Sequence, residues 1–384
     1  MPPTAAINSS SLSMQHSFKL RRKYDPAIPV LTLVLSVFGL VMVLSASQIQ
    51  AAQTTGNAYY FFTRQLIAWL IGVGTFFYFL RVPLEPLYAN RARFLSIALI
   101  LLVLVFFPVI GPKIAGVHRW INIGFLRFQP SEVAKLLLTV YFAGWLSAKD
   151  KDIQDPFKTL IPFICVLGLV VGLIMLQPDM GTALVIITIA LTVLFIAKAS
   201  LWQYIALILV GVMLLVLIIY AAPYRLSRLT SFINKNGSSQ DKLGTAYHSN
   251  QAQIAIGNGG LWGVGFGQGI SKYSFLPESH NDSIFAVIAE ELGFVRSLIV
   301  LTAYFYLAWR GFIITKTANS RFVQLLAAGI TTAIFGQMLI NIGGMLGMLP
   351  LTGVPLPLIS YGGTSLIVTM SMLGLLTNIS RETV

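Results

Sequence analysis

Residues 206–220 read ALILVGVMLLVLIIY, an apolar run with no charge and no alternation. At about 1.5 Å per residue in a helix, such a run with its flanks crosses about 30 Å of hydrocarbon. Strands of a membrane barrel alternate apolar and polar residues over about ten positions, so this stretch excludes a barrel, as does IALILLVLVFF at 97–107. Similar runs recur throughout the 384 residues, of which 56% are hydrophobic and only 10% charged, with a mean hydropathy of +0.79. Soluble domains carry about a quarter charged residues, so a water-soluble globule is excluded as well. The sequence predicts an all-α polytopic membrane protein with about ten transmembrane helices. They fall over residues 28–45, 62–80, 94–110, 131–146, 160–176, 182–197, 202–222, 283–309, 322–345 and 356–377.

Cationic residues fall unevenly between these runs. Lys19, Arg21, Arg22, Lys23, Arg91, Arg93, Lys149, Lys151, Lys316 and Arg381 share one side, while the opposite short loops hold only Arg64, Lys113, Arg119 and Arg127. Cytoplasmic loops keep Lys and Arg, so both termini are expected inside. Residues 1–24 read as a disordered cytoplasmic tail, 25–380 as one ten-helix membrane domain, and 381–384 as a cytoplasmic C-terminus. Within the domain, 223–282 reads as a large extracytoplasmic loop between helices seven and eight. Ser45-Ala46-Ser47 resembles a signal-peptidase site, but the apolar run before it is long for a leader, so the first helix is read as retained. The net charge of +13 lies in loops, without the basic face a polynucleotide needs, so nucleic acid is not an expected partner. Cys165 is the single cysteine, which excludes an intrachain disulfide and a thiolate metal cluster.

Charge inside a bilayer costs several kcal/mol, roughly 2.5–3.5 on insertion scales, unless it is paired or used. Glu132 and Lys135 lie three apart on one helical face, either as an internal salt bridge or facing a substrate. Arg119, in His118-Arg119-Trp120, either anchors a lipid headgroup or forks onto phosphate oxygens. Asp179 in Gln177-Pro178-Asp179-Met180-Gly181 is placed to cap the next helix. The glycine-rich 257–269 stretch lacks the strand, helix and acidic residue of a dinucleotide fold and supplies backbone freedom instead. The densest polar cluster is Glu278-Ser279-His280-Asn281-Asp282-Ser283, at the outer mouth of the eighth span. Asn281 or Asp282 suits an N-cap there, and Glu290 and Glu291 are expected to pair with Arg296. Within 341–365 the ninth and tenth spans are joined by an uncharged, Pro- and Gly-rich external turn, whose backbone must line a cavity or pack on protein.

Taken together, Gln129-Pro130-Ser131-Glu132 with Lys135, Gln177-Pro178-Asp179-Met180-Gly181-Thr182, Pro223-Tyr224-Arg225, Leu276-Pro277-Glu278 and Ile359-Ser360-Tyr361-Gly362-Gly363 resemble the SEDS membrane glycosyltransferases. The resemblance runs nearly end to end and is stronger to the division branch (FtsW-like) than to the elongation branch (RodA-like); the division assignment leans on Pro223-Tyr224-Arg225 with Arg228 and Phe232. It implies an enzyme that polymerises lipid II, an undecaprenyl-diphosphate-linked disaccharide-pentapeptide, at the outer face of the bacterial inner membrane. The family's catalytic aspartate falls on Asp282, although its usual His-Thr-Asp-Phe is here His280-Asn281-Asp282-Ser283.

That role implies an inverting transfer, with Asp282 as general base and Arg119, Glu132, Lys135 and His280 binding substrate. The implied partner is a class B penicillin-binding transpeptidase of the FtsI type, alongside other proteins of the division septum. No cofactor is implied by the residues; a divalent cation such as Mg2+ would suit a diphosphate, and the scattered His16, His118, His248 and His280 give no ligand spacing. A flippase for lipid-linked precursors and a scaffold for division proteins are the competing classes.

Overall fold

The computed structural model describes residues 24–383, apart from 114–115, 124–125, 150–151, 221–244 and 274. Each expected run overlaps a helix. These are α1 (Ala27–Thr55), α2 (Tyr60–Phe79), α4 (Arg91–Leu104), α5 (Pro130–Ala148), α6 (Ile161–Leu176), α7 (Met180–Ile196), α8 (Leu201–Tyr220), α10 (Ile284–Thr317), α11 (Arg321–Met345) and α12 (Gly363–Thr383). Two short helices, α3 (Leu84–Ala89) and α9 (Thr245–Asn258), join them. So does a small antiparallel pair, β1 (Ile121–Ile123) and β2 (Leu126–Phe128), with Ile121 opposite Phe128.

Helix ends follow local chemistry. Gly56 takes the left-handed conformation (φ 72°) and returns its N–H to the Ala52 carbonyl, which closes α1 ten residues beyond the expected end. Ser320 caps α11 by accepting from the Val323 N–H. By length and composition, four helical stretches among the described residues can cross a membrane: Ala27–Thr55, Pro156–Leu176, Arg321–Met345 and Gly363–Glu382. The last two are central, being 83% buried over their apolar windows, against 44% for the first. On α1, Val30, Leu33, Val34, Val37 and Val41 form an exposed stripe at helical spacing. An apolar face turned outward is what hydrocarbon, not water, accommodates.

Three features place the polar groups. First, α12 begins at Gly363, seven residues later than expected, because 346–362 carries Pro350, Pro355 and Pro357 and stays irregular. Its buried backbone is satisfied by side chains: Gln65 donates to the Ser360 carbonyl (3.0 Å) and accepts from the Gly362 N–H (3.1 Å), and Tyr304 donates to the Pro357 carbonyl. Second, α10 is broken at Gly293 (φ 79°, ψ 177°). The glycine-rich loop seats there, its Gly263 so close that a Cβ would collide with the Glu291 carbonyl. Third, at the opposite end from Asp282, Asp25 pairs with Arg310 of α10 (2.6 Å), and its backbone N–H donates to Ser380 of α12 (2.9 Å).

Candidate active site

Asp282 sits immediately before α10 and is 8% exposed. Its carbonyl accepts from Asn341 Nδ2 of α11 (2.8 Å), and the same amide donates to the Val354 carbonyl (2.7 Å). Gly353, held at φ 73°, faces the carboxylate: a Cβ there would stand 3.7 Å from Asp282 Oδ2. The backbone loop 352–355 therefore forms one wall beside the acid group.

Two residues earlier, His280 is 4% exposed, its ring centroid 4.3 Å from Phe61 and 5.3 Å from Tyr361. Its carbonyl accepts from the Tyr361 N–H (2.9 Å), and its Nδ1 is buried without a hydrogen-bond partner among the described residues. Burial holds the imidazole below its usual pKa, while the Glu278 carboxylate pulls it back up. The N-cap expectation is corrected: Ser283 takes the cap position of α10, and its hydroxyl is bound to the Pro277 carbonyl instead. Asn281 turns away to Glu278 Oε2 (3.3 Å) because the 278–283 backbone coils tightly, with the Asn281 and Ser283 N–H groups both donating to the Glu278 carbonyl.

Glu132 and Lys135 form the internal ion pair, 2.8 Å long and almost wholly buried. Lys135 also donates to Gln337 Oε1 (2.6 Å), and Gln337 Nε2 donates to the Pro355 carbonyl (2.8 Å). Arg119 is half-buried and gives Nε to the Gln177 carbonyl (2.7 Å) and Nη2 to the Pro178 carbonyl. Asp179 does cap α7, through the Thr182 N–H, and also accepts from Ser131 Oγ and Gln129 Nε2, both 3.0 Å. A Cβ on Gly181 would strike Val354, so this turn presses on the same loop. The residues singled out in the sequence thus converge on 352–355: Asp282 through Asn341, Lys135 through Gln337, and Arg119 through the 177–181 turn. Gln337 and Asn341, four apart on α11, were missed because neutral amides in an apolar run give no charge signal.

Glu290 and Glu291 are buried, but not with Arg296. Arg296 is exposed and donates to the Trp262 carbonyl (3.3 Å), whereas Lys272 pairs with Glu291 (2.7 Å) and reaches Ser45 Oγ (3.1 Å). The break at Gly293 turns residue 296 away from the acid pair and brings the glycine-rich loop over it. Glu290 accepts from the Ile270 and Ser271 N–H groups (3.1 and 3.2 Å). Pro223-Tyr224-Arg225, Arg228 and Phe232 lie outside the described residues.

These features define an all-α polytopic integral membrane protein with buried acids and cations gathered around one irregular loop. The chain belongs to the FtsW/RodA/SpoVE family, described as cell cycle protein, which it matches over residues 26–384, and with it to the membrane glycosyltransferases. It is 36% identical over 373 residues to a probable peptidoglycan glycosyltransferase FtsW of Coxiella burnetii, covering 96% of this chain and 100% of that one. It is 36% identical over 357 residues to the stage V sporulation protein E of Bacillus subtilis, covering 93% and 97%. A chain of a peptidoglycan synthase complex, described as coordinating polymerization and crosslinking, superposes with a TM-score of 0.76 at 28% identity, covering 94% and 98%. The rod shape determining protein RodA of Thermus thermophilus gives 0.68 at 28%, covering 94% and 97%.

Proposed function

We propose that the chain polymerises lipid II into β-1,4 glycan strands at the outer face of the bacterial inner membrane. It would act in septal wall synthesis, beside a class B penicillin-binding transpeptidase of the FtsI type. The names of its relatives support the substrate, and the complex in which one structural neighbour occurs supports the partner. Ten crossings, with both termini cytoplasmic and 223–282 outside, complete the arrangement; the uneven Lys and Arg distribution supports it.

In this reading the acceptor 4-hydroxyl attacks the anomeric carbon of the donor sugar. Asp282 takes the hydroxyl proton as the bond to the departing diphosphate breaks and the configuration inverts. The observation that carries the assignment is the Asp282 carboxylate facing the side-chain-free wall at Gly353. Arg119 offers positive charge toward the leaving group. Lys135, neutralised by Glu132, acts by fixing the loop through Gln337 and Pro355. The buried Nδ1 of His280 is available to a substrate hydroxyl. Among the described residues no three His, Cys, Asp or Glu converge as metal ligands, which does not fit a protein-held cation.

The test is polymer formation from purified lipid II by the purified chain, alone and with its transpeptidase. Asp282→Ala and Asp282→Asn should lower the rate by at least about 10²-fold. Polymerisation by Asp282→Ala at the parent rate removes the base assignment. Transfer of lipid II across vesicles with no polymer would favour the flippase.

A further inference from the structure

Ser283 follows the proposed base directly, and its hydroxyl is fully buried. A hydroxyl has one proton, and here it goes to the Pro277 carbonyl, 2.9 Å away. The Nε2 of His248 is 2.5 Å from the same oxygen, and the tautomer with its proton on Nε2 satisfies both bonds at once, donating to the Ser283 hydroxyl. His248 lies on α9, with Ala252 and Ala255 one and two turns further on, both fully buried, so this face of α9 rests on the membrane helices. At its end a Cβ on Gly259 would collide with the Ala289 carbonyl of α10. One residue before Ser283, the Asp282 carbonyl is held by Asn341. The peptide that carries the carboxylate is therefore gripped from two sides, by α11 through Asn341 and by α9 through His248. Imidazole and hydroxyl thus form a matched pair in this chain.

We propose that His248 is a positioning residue that sets the Asp282 carboxylate through Ser283, coupling the extracytoplasmic helix α9 to the proton-abstracting group. The inference rests on Asp282 being the base. A displacement of about 1 Å at a reacting group can cost up to 10²-fold in rate, so a single hydrogen bond one residue away has leverage on turnover.

The experiment is a double-mutant cycle on the full chain, purified in detergent and assayed with lipid II. His248→Ala and Ser283→Ala should each lower kcat about tenfold with KM little changed, and the double variant should be no slower than the slower single. His248→Gln, whose amide can donate to the same hydroxyl, should recover most of the rate. Losses that multiply in the double variant, unchanged rates, or a loss that His248→Gln does not rescue would each overturn the proposal. If the parent makes no polymer, it is the reading of function that fails. Amide exchange over residues 277–283 then decides the proposal: faster exchange in His248→Ala supports it, and unchanged protection overturns it.

Discussion

Lys272 shows how far one buried cation can be from any local signal. It lies 19 residues before Glu291, whereas Arg296, five residues beyond it, is the nearer cation in the sequence. Only the folding of the glycine-rich loop onto the Gly293 break reveals the pair. Both side chains are almost wholly buried, so removing one leaves an uncompensated charge, at a cost of about 3–5 kcal/mol. Lys272→Met should therefore lower the thermal midpoint in detergent sharply. Adding Glu291→Gln should recover part of the loss, because an amide oxygen at the Oε2 position still accepts from Ser45 and the Gly267 N–H. A double variant less stable than Lys272→Met alone would show that charge is not what the pair contributes. Asp282 and the Glu132–Lys135 pair, by contrast, were legible, since carboxylates and lysines beside or within apolar runs stand out. The direction in which each side chain points was not.

At the scale of elements, the helices were legible because hydrocarbon imposes one long, unmistakable pattern. The strand pair 121–128 and α9 were not, because each depends on contacts with the rest of the bundle, and the apolar residues among the prolines of 346–362 hid the late start of α12. The glycine-rich loop separates two causes that sequence merges. Gly267 has φ 78° with nothing within 4 Å of the point where a Cβ would stand, whereas Gly263 has φ 85° and would drive its Cβ into the Glu291 carbonyl. Gly267→Ala should cost about 1–2 kcal/mol for the left-handed backbone alone. Gly263→Ala should cost clearly more, with amide exchange accelerating across 260–272. Equal losses in the two variants would mean that the loop does not seat on the break. The segment 346–362 is the other element whose importance no residue announces: it carries no charge, yet Asp282, Lys135 and Arg119 are all referred to it.

For the whole molecule, the proposed orientation makes a labelling pattern. Cys165 is the single cysteine, so Cys165→Ser gives a background for single probes at exposed positions. In intact spheroplasts an impermeant maleimide should label Lys113→Cys and Arg127→Cys, and should label Lys316→Cys only after lysis. The reverse pattern would invert the bundle and put Asp282 on the wrong side for an external polymerase. The sequence indicated this orientation through Lys and Arg alone, but it held nothing about how residues 25 and 380 meet. Asp25 is held by Arg310 and Ser380, the latter 355 residues downstream. A ribosome feeding this protein into the bilayer emits that aspartate long before either of its partners. The opening helix must therefore wait, its base unfastened, until Arg310 has been made, and a nascent chain stalled before residue 310 should leave that end open to proteases.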